Sequence, residues 1–316
     1  MSHKPRIESQ DSLTERYARY RRMLCCVTPG LDGLLRSGAM HRTSFAWLSQ
    51  QFDVILLDAY GVLNLGDQAI LGAAQAVNAL RLPYLVVSNN ASQSPQGMVR
   101  RFSEMGFVMD VDHILSSGMA IAPYIAHSDY RDRPYFLVGS QESMTVYAPQ
   151  PEKLMVNRLG SSQPLEEAEY ILMCSNRDYY GQEQERGVND LLQRKRVPVL
   201  LANPDLVTPK LQGGLEAVAG FTAMELAERF DLTLEGIGKP FTPIFQEVVK
   251  QFPGIPPHRF LMVGDTLDTD VLGAKAMGFA SCLTLSGACA AWGANLEVLC
   301  DARAIRPDYV ISSLNY

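Results

Sequence analysis

The chain has 316 residues, of which 47% are hydrophobic and 20% charged, and its formal net charge is −6. This composition suits a soluble globular protein with core enough for about two domains, and the acidic balance argues against a nucleic-acid partner held on a basic surface. No apolar run is long enough to cross a bilayer and the Arg-interrupted N-terminus lacks a secretory core, so a cytoplasmic protein without membrane contact is expected. Cys25, Cys26, Cys174, Cys282, Cys289 and Cys300 form no Cys-x-x-Cys pair. His3, His41, His113, His127 and His258 show no His-x-x-x-His spacing. Neither a disulfide framework nor a zinc site is expected.

In chain order, residues 1–51 precede the first strong strand. Residues 11–24 are rich in Arg and Tyr and predict a helix starting at Asp11 or Ser12. Its basic face around Arg16, Arg19, Arg21 and Arg22 reads as solvated. Thr28-Pro29-Gly30 ends it, and a second short helix leads to Phe52. Val54, Ile55, Leu56 and Leu57 form an unbroken apolar run, the mark of a strand buried on both faces of a parallel sheet. The run stops at Asp58, where open α/β sheets place their ligands, and Gly61 lets the backbone turn away. A turn or a helix cap is the plainer role for such an aspartate.

A helix over 67–80 and a second strand over 82–87 complete a right-handed crossover. That strand ends in Ser88-Asn89-Asn90, a hydroxyl and two amides suited to phosphate oxygens. Pro95 opens a further helix that runs to Met105-Gly106. A strand over 111–116 and a helix from Gly118 to His127 follow. The long interval before Lys239 predicts a second α/β unit at 128–233, with strands over 135–138, 170–174 and 197–202. Helices are expected near Gln141, over 184–194 and over 215–230, and Asn203-Pro204-Asp205 follows the last strand. The core is expected to resume at Leu234. Gly236-Ile237-Gly238-Lys239-Pro240 then puts a lysine on a short loop. A strand over 259–263 ends in the acidic stretch Gly264-Asp265-Thr266-Leu267-Asp268-Thr269-Asp270, and strands at 279–285 and 309–311 close the chain. The expected fold class is α/β, with a doubly wound parallel-sheet core at 52–127 and 234–316, an inserted α/β cap at 128–233 and a helical extension at 1–51.

The ordered set of Asp58, Ser88, Lys239 and the Gly264-Asp265 loop resembles the four motifs of the haloacid-dehalogenase (HAD) superfamily. Ser88-Asn89-Asn90, Asn203-Pro204-Asp205, Gly238-Lys239-Pro240 and the run from Gly264 to Asp270 look like its NagD-type branch. That branch includes nucleotide, phosphoglycolate and pyridoxal-phosphate phosphatases, and the resemblance covers the chain from Asp53 onward. It implies Mg²⁺-dependent hydrolysis of a small phosphomonoester, of sugar-phosphate or nucleotide type, through a phosphorylated Asp58. Asp58 and Asp265 would ligate Mg²⁺ together with the backbone carbonyl of Tyr60. Asp270, ranked above Asp268, would orient water beside the ion. Ser88 and Asn90 would hold phosphoryl oxygens, Asn89 would join them or brace the loop, and Lys239 would neutralise phosphate and nucleophile as a point charge. Asn203, Asp205 and Thr208 would help choose the substrate, with a plain turn as their alternative. A homodimer through the cap also falls within the resemblance.

One position departs from the pattern. Phosphatases of this superfamily carry a second Asp two residues after the nucleophile, which protonates the leaving group and then activates water, and this chain has Tyr60 there. A phenol donates a proton but is a poor base at neutral pH, and losing a general acid/base costs about 10²–10⁴-fold. A slow or selective phosphatase is therefore expected. Asp58-Ala59-Tyr60-Gly61 also looks like the first motif of metal-free 2-haloacid dehalogenases. Those enzymes place their cap between the first two motifs, where this chain has no room, and lack the acidic loop. A phospholigand-binding protein without turnover is the third alternative.

Overall fold

Short apolar runs bounded by charge become the middle of a seven-stranded sheet. The computed structural model describes residues 10–149, 155–156, 165–209, 214–288 and 295–315. His3 and Cys289 lie outside the described residues, as does the start of the 1–51 extension. Helix α1 (Gln10–Val27) is followed by β1 (His41–Arg42), β2 (Val54–Leu57), the hairpin β3 (Asn64–Leu65) and β4 (Gln68–Ala69), β5 (Tyr84–Ser88) and β6 (Ile114–Ser116). The cap then supplies β7 (Tyr135–Val138), β8 (Tyr170–Met173), β9 (Val199–Leu201), β10 (Val207–Pro209), β11 (Leu215–Ala217) and β12 (Leu234–Gly236). The core closes with β13 (Phe260–Gly264), β14 (Ala280–Thr284) and β15 (Tyr309–Ile311).

The core sheet has the order β1-β15-β14-β13-β2-β5-β6 and every pairing is parallel. From β2 the chain winds outward one way through β5 and β6, and β13 restarts on the other side of β2. That reversal is the switch point at which such sheets bind ligands. The register sets Leu57 against Val263, so Asp58 and Asp265 leave adjacent strands at the same edge. All residues of β2 and β13 are buried, as strands covered on both faces must be. The helix Pro95–Glu104 starts where the sequence indicates: Ser94 accepts a hydrogen bond from the Gly97 backbone N–H and Pro95 occupies the first turn.

The cap sheet, order β12-β9-β8-β7, is also parallel, and β10 and β11 form an antiparallel hairpin beside it. Four sequence expectations shift. Leu234–Gly236 pairs with Val199–Leu201 in the cap sheet, so the core does not resume at Leu234. Its apolar run directly precedes the lysine loop, and the sequence alone does not tell which sheet it joins. The helix expected over 215–230 begins at Ala219, because Leu215–Ala217 pairs with Val207–Pro209. The helix expected over 67–80 is reduced to Ala73–Asn78 after the β3–β4 hairpin. The N-terminal extension is not helical throughout, since β1 adds an edge strand against β15. Among the described residues no helix is long and apolar enough to cross a membrane.

Helix α1 is more than an exposed appendage. Leu13, Tyr17, Tyr20 and Leu24 recur at helical spacing and are buried in one apolar cluster with Phe221 and Met224 of the cap and Leu267 and Leu272 of the core. Of the four arginines expected to face solvent, Arg22 is exposed and the other three are engaged. Arg16 pairs with Glu228 at 2.8 Å. Arg19 donates to the Leu232 carbonyl at 3.2 Å and Arg21 to the Arg303 carbonyl at 2.8 Å.

Candidate active site

The ends of β2 and β13 and the lysine loop converge on one cluster of charge. Lys239 Nζ lies 2.6 Å from Asp58 Oδ1 and 2.8 Å from Asp270 Oδ1. Asp58, Asp265 and Asp270 each offer an oxygen within 4.8 Å of the others. Backbone and hydroxyl donors aim these carboxylates. The Ala59 N–H donates to Asp58 Oδ1 at 2.7 Å, and the Ala288 N–H to Asp265 Oδ2 at 2.6 Å. Thr266 Oγ1 donates to Asp265 Oδ1 at 2.9 Å and its backbone N–H to Asp270 Oδ2 at 3.2 Å. Gly61, with φ of 79°, is required twice over: its backbone is left-handed, and a Cβ there would fall 1.8 Å from Asp265 Oδ2. A Cβ on Gly264 would likewise sit 2.1 Å from the Asp270 carboxyl carbon.

The electrostatics of this floor are costly for the protein alone. Burial pushes the Asp58 carboxyl up to about 8; Lys239 opposes that rise, and Asp270 and Asp265 add to it. Burial, then repulsion from Asp270, raises Asp265 to about 7. Burial disfavours the Lys239 ammonium, yet Asp270, Asp58 and Asp205 outweigh it and hold lysine above its ordinary value. Three carboxylates around one ammonium leave an excess of negative charge in a low-dielectric setting. An all-oxygen donor set of this kind fits a hard divalent cation such as Mg²⁺.

Above this floor opens a cleft of about 540 Å³ between core and cap. Asp58, Tyr60, Ser88, Asn89, Asn90 and Asp265 line its core side, and Asn203, Asp205 and Thr208 its cap side. Lys239 and Asp270 lie beneath it, 1% and 0% exposed. All the sequence-predicted residues therefore gather at one place, but their attachments differ. Asn89 is a brace: it accepts from the Lys239 backbone N–H at 2.7 Å and donates to the Lys239 carbonyl at 2.9 Å and to Asp205 Oδ1 at 2.8 Å. That side-chain amide is committed to the lysine and cap loops, in line with loop support, the role expected of Asn89 ahead of phosphate contact. Asn90 Oδ1 accepts from the Ser92 and Gln93 backbone N–H groups at 2.9 and 3.0 Å, which leaves its amide nitrogen as the donor toward a ligand. Asn203 Oδ1 accepts from the Asp205 N–H at 3.0 Å, the turn geometry weighed as its alternative. Asp268 turns away to Arg303, 3.4 Å off, and burial pushes it up to about 6.

The structure adds groups that the sequence did not single out. Arg101 Nη2 donates to the Tyr60 hydroxyl at 2.7 Å and to the Gly66 carbonyl at 2.6 Å, and its guanidinium carbon lies 5.1 Å from the Tyr60 ring centre. Arg177 and Tyr17 also line the cleft. Arg101, next to Arg100 in an amphipathic helix, carries no mark of such a role, whereas the tyrosine spacing in α1 does mark a buried face.

Comparison with known proteins bears on this arrangement. A family described as haloacid dehalogenase-like hydrolase matches residues 55–149, and a second, HAD-hydrolase-like, matches 236–316. The chain is 25% identical over 232 residues to an acid sugar phosphatase of Staphylococcus epidermidis, covering 72% of this chain and 85% of that protein. Its fold is similar to that of a "possible sugar phosphatase" of the HAD superfamily from Cytophaga hutchinsonii, with a TM-score of 0.74, 22% identity and coverage of 88% and 99%. A glycerol phosphate phosphatase from Mycobacterium tuberculosis, solved in complex with magnesium, superposes with a TM-score of 0.67 at 24% identity, covering 87% of this chain and 78% of that one.

Proposed function

We propose that this chain, which belongs to the haloacid dehalogenase-like hydrolases and is a phosphatase of their NagD-type branch, hydrolyses a small phosphorylated metabolite of sugar-phosphate or nucleotide type with Mg²⁺. The observation that carries the reading is the Lys239 ammonium held between Asp58 and Asp270, with Asp265 alongside on the neighbouring strand. Asp58 is the nucleophile. Its carboxylate attacks phosphorus as the P–O bond to the alcohol breaks, and the alcohol takes a proton from the Tyr60 phenol or from solvent. Water then attacks phosphorus, its proton passing to the Tyr60 phenolate or to solvent, and inorganic phosphate leaves as the Asp58 carboxylate and the phenol are restored. Ser88 and Asn90 position the phosphoryl oxygens, while Lys239 offsets their charge and that of Asp58. Asp58, Asp265 and the Tyr60 carbonyl would hold Mg²⁺, with Asp270 behind them, and the ion would supply the positive charge that brings two anions together. Asn203, Asp205 and Thr208 face the substrate alcohol. Homodimerisation through the cap belongs to the same reading and is checked by light scattering.

The test is phosphate release from 4-nitrophenyl phosphate, and chloride release from 2-chloropropionate, each with Mg²⁺ and with chelator. Phosphate release that chelator abolishes is expected. Chloride release insensitive to chelator, or no product alongside a phosphate-raised melting temperature, overturns the proposal.

A further inference from the structure

The geometry points to helix α1 as part of the substrate site: Tyr20 is a positioning residue for the cap loop 203–205, and Tyr17 is a specificity-determining wall of the cleft. The inference rests on the phosphatase reading and deepens it. Helix α1 lies outside both family-matched segments, so its part in the site comes from this chain's own packing.

Tyr20 is fully buried, and its hydroxyl donates to the Pro204 carbonyl at 2.8 Å. Its ring meets the Phe241 ring edge-on with centres 5.2 Å apart. Pro204 stands between Asn203 and Asp205, and Phe241 lies two residues beyond Lys239. One side chain of α1 thus grips both the cap loop over the cleft and the loop that delivers the lysine. Asn89 ties the same two loops from the opposite side, through Asp205 and the Lys239 backbone. Tyr17, one turn earlier, lines the cleft together with Asp205 and Ala219. It is wedged between the Tyr20 ring, 6.2 Å away, and the Arg303 guanidinium, 5.2 Å from its ring centre. The helix is itself fastened to both sides, by Arg16 to Glu228 of the cap and by Arg21 to the Arg303 carbonyl of the core. A wall seated on two bodies at once fixes the width of the gap between them. The room left for the substrate alcohol therefore depends on the side chain at position 17.

The full-length chain with Mg²⁺ is assayed on glycerol 3-phosphate and on 4-nitrophenyl phosphate, comparing wild type with Tyr20→Phe, Tyr17→Leu and Tyr17→Phe, each shown folded by its melting curve. Tyr20→Phe keeps the ring but strands a buried carbonyl, and KM is expected to rise roughly 5–30-fold for both substrates while kcat moves less than about threefold. Tyr17→Leu widens the gap, and the ratio of kcat/KM for the aryl over the glycerol substrate is expected to rise about tenfold or more. Tyr17→Phe preserves the wall and should preserve the ratio. If wild type releases phosphate but Tyr20→Phe leaves KM unmoved and Tyr17→Leu leaves the ratio unmoved, this inference fails and the phosphatase reading survives. Equal losses of kcat on both substrates with KM constant also overturn it, since they mark a structural role alone. Should wild type release no phosphate from either substrate, both readings fall.

Discussion

The floor of the cleft and its cap-side wall are built on opposite rules. Asp58, Asp265, Asp270 and Lys239 sit at strand ends and on short loops, all but Asp58 nearly sealed from solvent, each fixed by several donors or by an ion pair. The wall is assembled from separate loops and from α1, held by hydrogen bonds and ring contacts rather than by a cluster of charge. Removing a group from the floor strands a buried charge, whereas removing one from the wall changes shape. The first should cost reaction rate, and folding free energy as well where a buried charge is left unpaired, and the second should alter which substrate is preferred.

The sharpest way to break this contrast is Asp58→Asn, which removes the nucleophile with little change of shape. Phosphate release should fall on the order of 10⁴-fold or more while the melting curve survives. Retained activity would move the chemistry elsewhere. Lys239→Met comes next. It leaves three clustered carboxylates without their ammonium, and urea unfolding should show a loss of roughly 3–5 kcal/mol, the scale for breaking a buried ion pair. A loss below 1 kcal/mol, the range of surface pairs, would mean that the floor is wetter than its burial indicates.

Tyr60→Asp sharpens the comparison at the boundary between floor and wall. Restoring a carboxylic general acid/base should raise aryl-phosphate turnover by about 10²-fold. An unchanged or lower rate would mean that the phenol held by Arg101 already serves. The smallest effect is expected outside the cleft lining, at Glu235, which accepts from the Tyr124 and Tyr130 hydroxyls and whose pKa burial raises. A carboxyl raised on folding binds its proton more tightly in the native state, so its contribution is full below the unfolded value and is lost as pH rises through the folded one. Glu235→Gln should therefore flatten a decline in melting temperature above about pH 4.5, the reference carboxyl range. A parallel pair of Tm–pH curves would discount the effect.

Legibility in the sequence follows the same division. The floor was readable because Asp58 ends the apolar run of β2 three residues before Gly61, and Asp265 follows Gly264 at the end of β13. A strand that stops on a carboxylate is by itself most simply a turn, and it was the ordered set with Ser88, Lys239 and Asp265 that marked the site. The order of the motifs also placed the cap after the third long core strand. Beyond Asn203, Asp205 and Thr208 the wall was not readable, because its other members are single residues whose neighbours in space are remote in sequence. Arg101 looks like any helical arginine until Tyr60 is seen beside it. Leu234–Gly236 reads as a core strand because local pattern does not say which of two parallel sheets a short apolar run will join. His41–Arg42 is too short to carry a period at all. In α1, four arginines drew the reading toward solvent, although Leu13, Tyr17, Tyr20 and Leu24 already spelled a buried stripe.

The adjacency of β2 and β13 has a consequence for how the protein comes to be active. Their pairing joins opposite halves of the chain across the entire cap insertion. Contacts so remote in sequence require the ends of a very large loop to meet, which slows folding relative to local pairings. No nascent or truncated fragment that lacks either half can present both acids. Turnover is thus available only from molecules in which both halves have paired.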